Sequence, residues 1–223
     1  MGTLYLVRHG QASFGAADYD QLSPLGQRQC VRLGEWFRGR GVVFDAVLTG
    51  TLRRHAQSLA GIEEGLQARH HAQSLPGLSE YDSQAVMHAI HPAPLARPET
   101  PEQVRLHFRL LRRGLQQWMA GMTTPRGMPV HAEFVAGVVR ALDQVRLQHA
   151  NGTALIVSSG GPIASAIGHV LGLAADTTIE LNLHIRNSAV SEFKVTPKRH
   201  TLISFNTLPH LDTPDHAEWV TYT

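Results

Sequence analysis

Short apolar runs alternate with amphipathic stretches along this chain. Residues 3–7 (Thr-Leu-Tyr-Leu-Val) and 153–157 (Thr-Ala-Leu-Ile-Val) carry no charge, and residues 44–48 carry only Asp45. A strand covered on both faces reads as a near-continuous apolar run, as parallel strands do. After the first run, Ser23-Pro24 supplies an N-cap and a proline for the first helical position. A helix is predicted from there to about Arg38, stopped by Gly39 and Gly41. A second helix is predicted from Thr51 or Leu52 to about Arg69, and another from Pro162 to Leu171. Further strands are predicted at residues 72–75, 179–185, 189–195 and 201–205. This alternation specifies a three-layer α/β/α sandwich with a mostly parallel central sheet.

The middle of the chain differs. Pro92, Pro94, Pro98 and Pro101 mark a loop. Thr100 then stands as N-cap with Gln103 placed for a capping box. Val104, Phe108, Leu111, Leu115, Trp118 and Met122 follow at helical spacing, and a second helix over about 129–149 aligns Phe134, Val138, Leu142 and Val145. Both stripes read as core packing. The expectation is one domain over residues 1–223, with a helical insertion at about 83–150 over the strand ends. The tail from Pro209 reads as polar and irregular.

Composition excludes several classes of function. The formal net charge is +2, without the basic excess of a dedicated nucleic-acid binder. Cys30 is the single cysteine, so no intrachain disulfide and no cysteine zinc site can form. The start of the chain has neither a basic segment nor a long apolar one, and reads as no signal peptide. Residues 147–175 carry no Asp, Glu, Lys or Arg, but Asn151, Gly152, Gly160, Gly161 and Pro162 break them into a strand, a loop and a helix rather than a membrane span. The expectation is a cytoplasmic protein with no membrane and no nucleic-acid partner; its oligomeric state is left open.

The chemistry concentrates at predicted strand ends, where open α/β sheets present ligand sites. Leu6-Val7-Arg8-His9-Gly10-Gln11-Ala12-Ser13 follows the first strand, and Gly50-Thr51-Leu52-Arg53-Arg54-His55 follows the second. Glu80 follows Pro76-Gly77-Leu78-Ser79, and Ser158-Ser159-Gly160-Gly161-Pro162 follows a late strand. These segments resemble the histidine phosphatase superfamily, the group that includes phosphoglycerate mutase-like phosphatases. The resemblance covers residues 3–205, strongly to residue 60 and weakly over 85–150. It implies that His9 is the phosphate-accepting nucleophile and that Arg8 binds the phosphoryl group. The family's Ser-Pro-Leu-x-Arg-Ala pattern falls on residues 50–55, which makes Arg54 the second phosphate-binding arginine. Glu80 is implied as proton donor, and Asn187-Ser188-Ala189-Val190 resembles a late Asn-x-Ser-Val segment. Gln11 and Ser13 are further candidate donors to the phosphate. No metal or other cofactor is implied, and no histidine spacing here, His70-His71 or His88 and His91 included, forms a metal set with carboxylates.

The residue types suit that chemistry. A neutral imidazole is a competent nucleophile toward phosphorus. Fixed guanidinium forks stabilise the charged phosphoryl oxygens, and a carboxyl group of raised pKa can protonate the leaving alkoxide. One departure stands out. The family's Ser-His-Gly-Gly is Ser158-Ser159-Gly160-Gly161 here, with Ser159 in place of a second histidine. A hydroxyl donates one neutral hydrogen bond, and losing one preorganised donor costs roughly 10²–10³ in rate. Arg8, His9, Arg54, Ser159 and the amides from Gly160 to Ile163 are still expected to hold phosphate. Three explanations stand open: a slow phosphomonoesterase or one with an easy leaving group; another histidine, such as His55, His131 or His184, entering the pocket; or a phosphate-binding module without catalysis. If the pocket is intact but underpowered, Ser159→His is expected to raise turnover. Mutase chemistry is disfavoured because Glu80 is followed by Tyr81-Asp82-Ser83-Gln84, and Arg112-Arg113 by Gly114-Leu115, unlike the mutase members. The expected partner is a small phosphorylated substrate or inorganic phosphate. Of the arginines in the insertion (Arg97, Arg105, Arg109, Arg112 and Arg113), most are expected to face solvent.

Overall fold

The computed structural model describes residues 1–13, 20–93 and 100–222. Its elements are β1 (Gly2–Arg8), α1 (Pro24–Gly39), β2 (Ala46–Thr49), α2 (Arg53–Leu66), β3 (Ala72–Ser74), α3 (Ser83–His88), α4 (Pro101–Met119), α5 (His131–Gln148), β4 (Thr153–Ser158), α6 (Gly160–Leu171), α7 (Ala175–His184), β5 (Val190–Val195) and β6 (His200–Thr207), with 3₁₀ turns at Pro76–Leu78 and Pro214–Trp219. The six strands form one sheet in the order β3-β2-β4-β1-β5-β6. β3, β2, β4 and β1 run parallel, and β5 and β6 add an antiparallel edge.

Alternation along the central strands separates two cores. Leu4 and Leu6 of β1 and Ala154 and Ile156 of β4 pack with Val138, Leu142 and Val145 of α5 and Ile163 and Ile167 of α6. Val7, Leu155 and Val157 point the other way, onto Cys30, Leu33 and Phe37 of α1 and Leu59 and Ile62 of α2. Helices therefore cover both faces, which is the three-layer architecture expected. A third cluster joins Val86 and Met87 of α3, Leu111, Leu115 and Trp118 of α4 and Ile179 of α7.

The helix starts follow their local chemistry. Ser23 Oγ accepts from the Gly26 amide at 3.0 Å, with Pro24 at the first helical position. The Thr100–Gln103 capping box is complete. Where α1 crosses α2, Gly34 lies against the Ile62 carbonyl and Gly65 against that of Val31, and a Cβ on either would overlap the oxygen. Gly34→Ala is therefore expected to lower the urea midpoint with an unchanged slope, by the ~1–3 kcal/mol typical of overpacking or more.

Two expectations need correction, and a third is refined. Residues 179–185 are not a strand; they belong to α7 and the residue that ends it. Ile179, Leu181, Leu183 and Ile185 alternate, which mimics strand periodicity. In the fold Ile179 and Leu183, one helical turn apart, meet the third cluster while Leu181 and Ile185 pack on the α5–α6 core. Seven residues are too few for the period to decide against that packing. The α4 stripe is core only in part: Leu111, Leu115 and Trp118 are buried, whereas Val104 and Phe108 are exposed because the helix outruns the third cluster, and Met122 lies exposed beyond the helix end. The tail is irregular apart from its 3₁₀ turn, but it is pinned by polar groups of other elements. Gln29 Nε2 donates to the Trp219 carbonyl at 2.6 Å, and the Asn187 amide donates to the Thr221 carbonyl at 2.9 Å. Pro94, Pro98 and Arg97 lie outside the described residues. No helix of the described residues is long and apolar enough to cross a membrane.

Parallel pairing sets the site. Arg8 of β1 lies opposite Ser158 of β4, so His9 and Ser159 leave adjacent strand ends. β2 flanks β4 and delivers Gly50 and the start of α2 to the same end of the sheet.

Candidate active site

His9 is held at both ends of its backbone. Its amide donates to the Ser158 carbonyl at 2.9 Å, and its carbonyl accepts from the Ser188 amide at 3.1 Å and from Asn187 Nδ2 at 3.5 Å. The late Asn187-Ser188 segment thus braces the residue from behind. Gly10 is fixed in turn by Ser58, whose Oγ accepts its amide at 3.0 Å.

The geometry also fixes the imidazole tautomer. Nδ1 lies 2.7 Å from the Gly10 carbonyl oxygen, which can only accept, so Nδ1 carries the proton. Nε2 lies 3.2 Å from Arg54 Nε, which can only donate, so Nε2 presents its lone pair. The ring is almost fully buried. Burial first, then the positive charges of Arg8 and Arg54 and the neighbouring His55, hold its pKa well below 6.5. The imidazole is neutral across the physiological range.

Arg54 is buried at the first turn of α2. Its Nη1 donates to Asp20 Oδ1 at 3.0 Å. The same carboxylate accepts the Arg53 amide at 2.9 Å and the Arg54 amide at 3.4 Å, so an anion caps a helix that has no side-chain cap of its own. Asp20 was not foreseen: it is 34 residues from Arg54 and no local pattern links them. The adjacent Arg53 contributes its amide to Asp20. Arg8 reaches the opposite flank, where its Nη1 donates to the Ile185 carbonyl and, at 2.8 Å, to the Tyr222 carbonyl. The end of α7 and the tail therefore orient this guanidinium.

Glu80 stands at the start of α6. The Gly161 amide donates to its two carboxylate oxygens at 3.1 and 3.2 Å, and the Tyr81 amide to Oε1 at 3.2 Å. Burial raises its pKa above the ordinary 4.5, against the opposing pull of the Gly161 amide, Arg54, Arg8 and the Tyr81 amide. This corrects one expectation: the amides that open α6 are not all available to phosphate. Gly161 serves Glu80, and the Ile163 amide donates to the Ser159 carbonyl.

The remaining candidates divide. Gln11 Oε1 accepts from Ser23 Oγ at 2.7 Å and the Gln11 amide donates to Gln29 Oε1 at 2.8 Å, so this residue ties the loop after β1 to α1. Ser13 pairs through its amide with the Gln21 carbonyl at 2.8 Å. Ser159 is the N-cap residue of α6 and makes no capping bond. Its Oγ lies 2.7 Å from His55 Nε2, and Gly160 follows it against Asn182. Of the three alternative histidines, His55 is fully buried with its ring centroid 5.9 Å from that of His9. His131 packs edge-on against Trp118 in the third cluster, and His184 is exposed at the end of α7. Arg105 pairs with Glu102, Arg112 pairs with Glu180, and Arg109 and Arg113 are exposed.

A mainly parallel α/β sheet that converges a neutral histidine, two arginines and a carboxyl group on adjacent strand ends defines a class of phosphate-handling fold. The model of the histidine phosphatase superfamily (branch 1) matches residues 4–208, and the chain belongs to that family. A broad-specificity phosphatase of Saccharomyces cerevisiae is 33% identical over 63 residues, 26% of this chain and 27% of the length of that relative. A phosphoserine phosphatase from Entamoeba histolytica, solved with phosphoserine, superposes with a TM-score of 0.66 at 18% identity, covering 95% of this chain and 100% of that one. YhfR of Bacillus stearothermophilus gives 0.68 at 15% identity, covering 94% and 99%. A mycobacterial glucosyl-3-phosphoglycerate phosphatase with inorganic phosphate gives 0.62 at 19% identity, covering 92% and 97%. At these identities the structures share the fold.

Proposed function

We propose that the chain hydrolyses small phosphomonoesters through a phosphohistidine intermediate, within one domain whose residues 83–150 form a helical insertion. The observation that carries this reading is the tautomer of His9. Its Nε2 lone pair is aimed at Arg54 Nε, where a phosphoryl group would be both attacked and neutralised.

His9 Nε2 attacks phosphorus and the P–O bond to the leaving group breaks. Arg54 and Arg8 hold the phosphoryl oxygens through the transition state. The Glu80 carboxyl gives its proton to the departing alkoxide. The carboxylate left behind then takes a proton from water as that water attacks the phosphohistidine, releasing inorganic phosphate and restoring both groups. No step of this cycle calls on a metal. Proteins of this fold have been solved with phosphoserine and with inorganic phosphate, which supports a small phosphorylated molecule as substrate.

The test is to mix the protein with 4-nitrophenyl phosphate, quench it within milliseconds, and follow phosphate bound to protein. The expected product is labile in acid and stable in alkali, as an N-phosphoryl bond is. A protein that binds inorganic phosphate but forms neither phosphoenzyme nor nitrophenol would instead be a phosphate-binding module.

A further inference from the structure

Three residues without an assigned joint role meet beside His9. The imidazole of His55 on α2 is fully buried. Its Nε2 lies 2.7 Å from Ser159 Oγ. Its Nδ1 turns toward Gly50, so closely that a Cβ at position 50 would overlap the ring. Nδ1 makes no well-formed hydrogen bond there. These are among the positions at which the chain departs from the family pattern: glycine for serine at 50, histidine for alanine at 55 and serine for histidine at 159, with threonine for proline at 51 beside them. In the fold Gly50, His55 and Ser159 form one unit. The bare Gly50 leaves room for the imidazole, and the imidazole reaches the serine.

Alignment at Nδ1 decides the tautomer: the Gly50 backbone stands near it, but its carbonyl already accepts from Ser74 Oγ at 3.3 Å and Nδ1 makes no well-formed bond to it. A buried N–H without an acceptor is costlier than a buried lone pair without a donor, and orphaned N–H groups are correspondingly rare. The proton therefore sits on Nε2, and Nε2–H donates to Ser159 Oγ. An oxygen that accepts from His55 turns its own O–H elsewhere. Ser159 stands one residue past Ser158, whose carbonyl receives the His9 amide, and the His9 and His55 rings are 5.9 Å apart. The hydroxyl is thus placed at the edge of the site where phosphorus would join His9.

We propose that Ser159 donates a hydrogen bond to a non-bridging oxygen of the transferring phosphoryl group, and that His55 is the positioning residue that orients its hydroxyl. The inference rests on the phosphatase reading above and supplies its missing donor. No proton is transferred: His55 keeps its Nε2 hydrogen and Ser159 keeps its own. Burial and the charge of Arg54 lower the His55 pKa to about 3, against the pull of Asp20 and of the Gly50 backbone. The pair therefore contributes a directed dipole, and Arg8 and Arg54 contribute the charge.

The test compares Ser159→Ala, His55→Phe, His55→Gln and the double variant His55→Phe/Ser159→Ala, each first shown to unfold cooperatively. Ser159→Ala and His55→Phe are each expected to lower kcat on 4-nitrophenyl phosphate about 10²-fold, the scale of one lost preorganised donor, with KM little changed. The double variant is expected to be no slower than the slower single one, because the two residues act as a unit. His55→Gln, whose amide can still donate, is expected to recover much of the loss. Binding of orthovanadate, which adopts the transition-state geometry, is expected to weaken in step with kcat, while inorganic phosphate binding stays near wild type. Ser159→His is expected to lower turnover, since its imidazole would crowd His55, in contrast to the rise expected from sequence. A folded His55→Phe or Ser159→Ala with wild-type kcat overturns the proposal, as do equal losses for vanadate and phosphate or a gain from Ser159→His. If His55→Phe does not fold, Ser159→Ala and His55→Gln carry the test. A wild type with neither phosphoenzyme nor turnover overturns the phosphatase reading itself, and the proposal with it.

Discussion

His9→Ala is expected to remove the acid-labile phosphoenzyme completely and to lower kcat by up to ~10⁶-fold, the scale seen when the nucleophile of a concerted constellation is deleted. The physical reason lies in how few alternatives the pocket holds. Phosphorus must meet a lone pair, and the Nε2 of His9 is the one that faces Arg54 Nε, at 3.2 Å. His55 is the neighbouring imidazole, but its Nε2 is engaged with Ser159, and the bare Nδ1 is turned toward Gly50. It cannot take over the attack. The variant is expected to fold, because the backbone anchors of position 9, to Ser158 and Ser188, are main-chain bonds that alanine keeps. Inorganic phosphate is expected to bind with affinity near that of wild type, since Arg8 and Arg54 remain. Quenched-flow trapping together with a phosphate titration checks both halves. A phosphoenzyme that survives in His9→Ala would move the nucleophile elsewhere.

The layers and the strand ends were legible because both depend on local pattern. A parallel strand must be apolar on both faces, and residues 3–7 and 153–157 announce that in five letters each. The capping box at Thr100 and Gln103 is legible for the same reason: its two hydrogen bonds join residues three apart. What failed was set by distant packing. Residues 179–185 alternate like a strand, but two different cores claim the two sets of apolar side chains and leave the backbone helical. The tail is irregular, as its composition indicates, but its anchoring was not legible because the groups that hold it, Gln29, Arg8 and Asn187, lie far away in sequence.

The same division runs through the site. Arg8, His9, Arg54 and Glu80 sit in short motifs, and all four are brought to one end of the sheet. Asp20, which anchors Arg54 and the start of α2, has no motif of its own. Position 159 shows the limit most sharply. Read along the chain, the serine is a lost histidine. Read in space, an imidazole stands 2.7 Å away, carried there by another helix. Gly50 and His55 share one short segment, but Ser159 is 104 residues from His55, and the three become one arrangement only when β2 and β4 lie side by side.

Glu80→Gln is expected to separate the two halves of the reaction. Glutamine keeps an oxygen for the Gly161 amide, which now donates to the carboxylate, but it has no proton to give to the leaving alkoxide. On an alkyl phosphate, whose alkoxide is a poor leaving group, kcat/KM is expected to fall by the ~10²–10⁴ typical of a lost general acid. On 4-nitrophenyl phosphate, whose phenolate leaves unaided, phosphorylation of His9 is expected to slow far less. Hydrolysis of the intermediate still lacks its base, so nitrophenol is expected in a burst followed by a slow steady state. The pH profile tests the same assignment. In wild type the reactive form has His9 neutral and Glu80 protonated. His9 is held well below 6.5, so the acid limb lies below that value and activity is lost as pH falls through the His9 pKa. Glu80 is raised above 4.5, so the alkaline limb lies above that value and activity is lost as pH rises through the Glu80 pKa. On the alkyl phosphate, where departure needs that proton, the alkaline limb of kcat/KM is expected to disappear from the residual activity of Glu80→Gln and the acid limb to stay. Stability supplies the control. A carboxyl group whose folded pKa is raised destabilises the native state above its unfolded pKa, where the chain must hold the charge, so the neutral glutamine is expected to be at least as stable as wild type at pH 7. Equal losses on the two substrates, or an alkaline limb that survives the substitution, would assign the proton to another group.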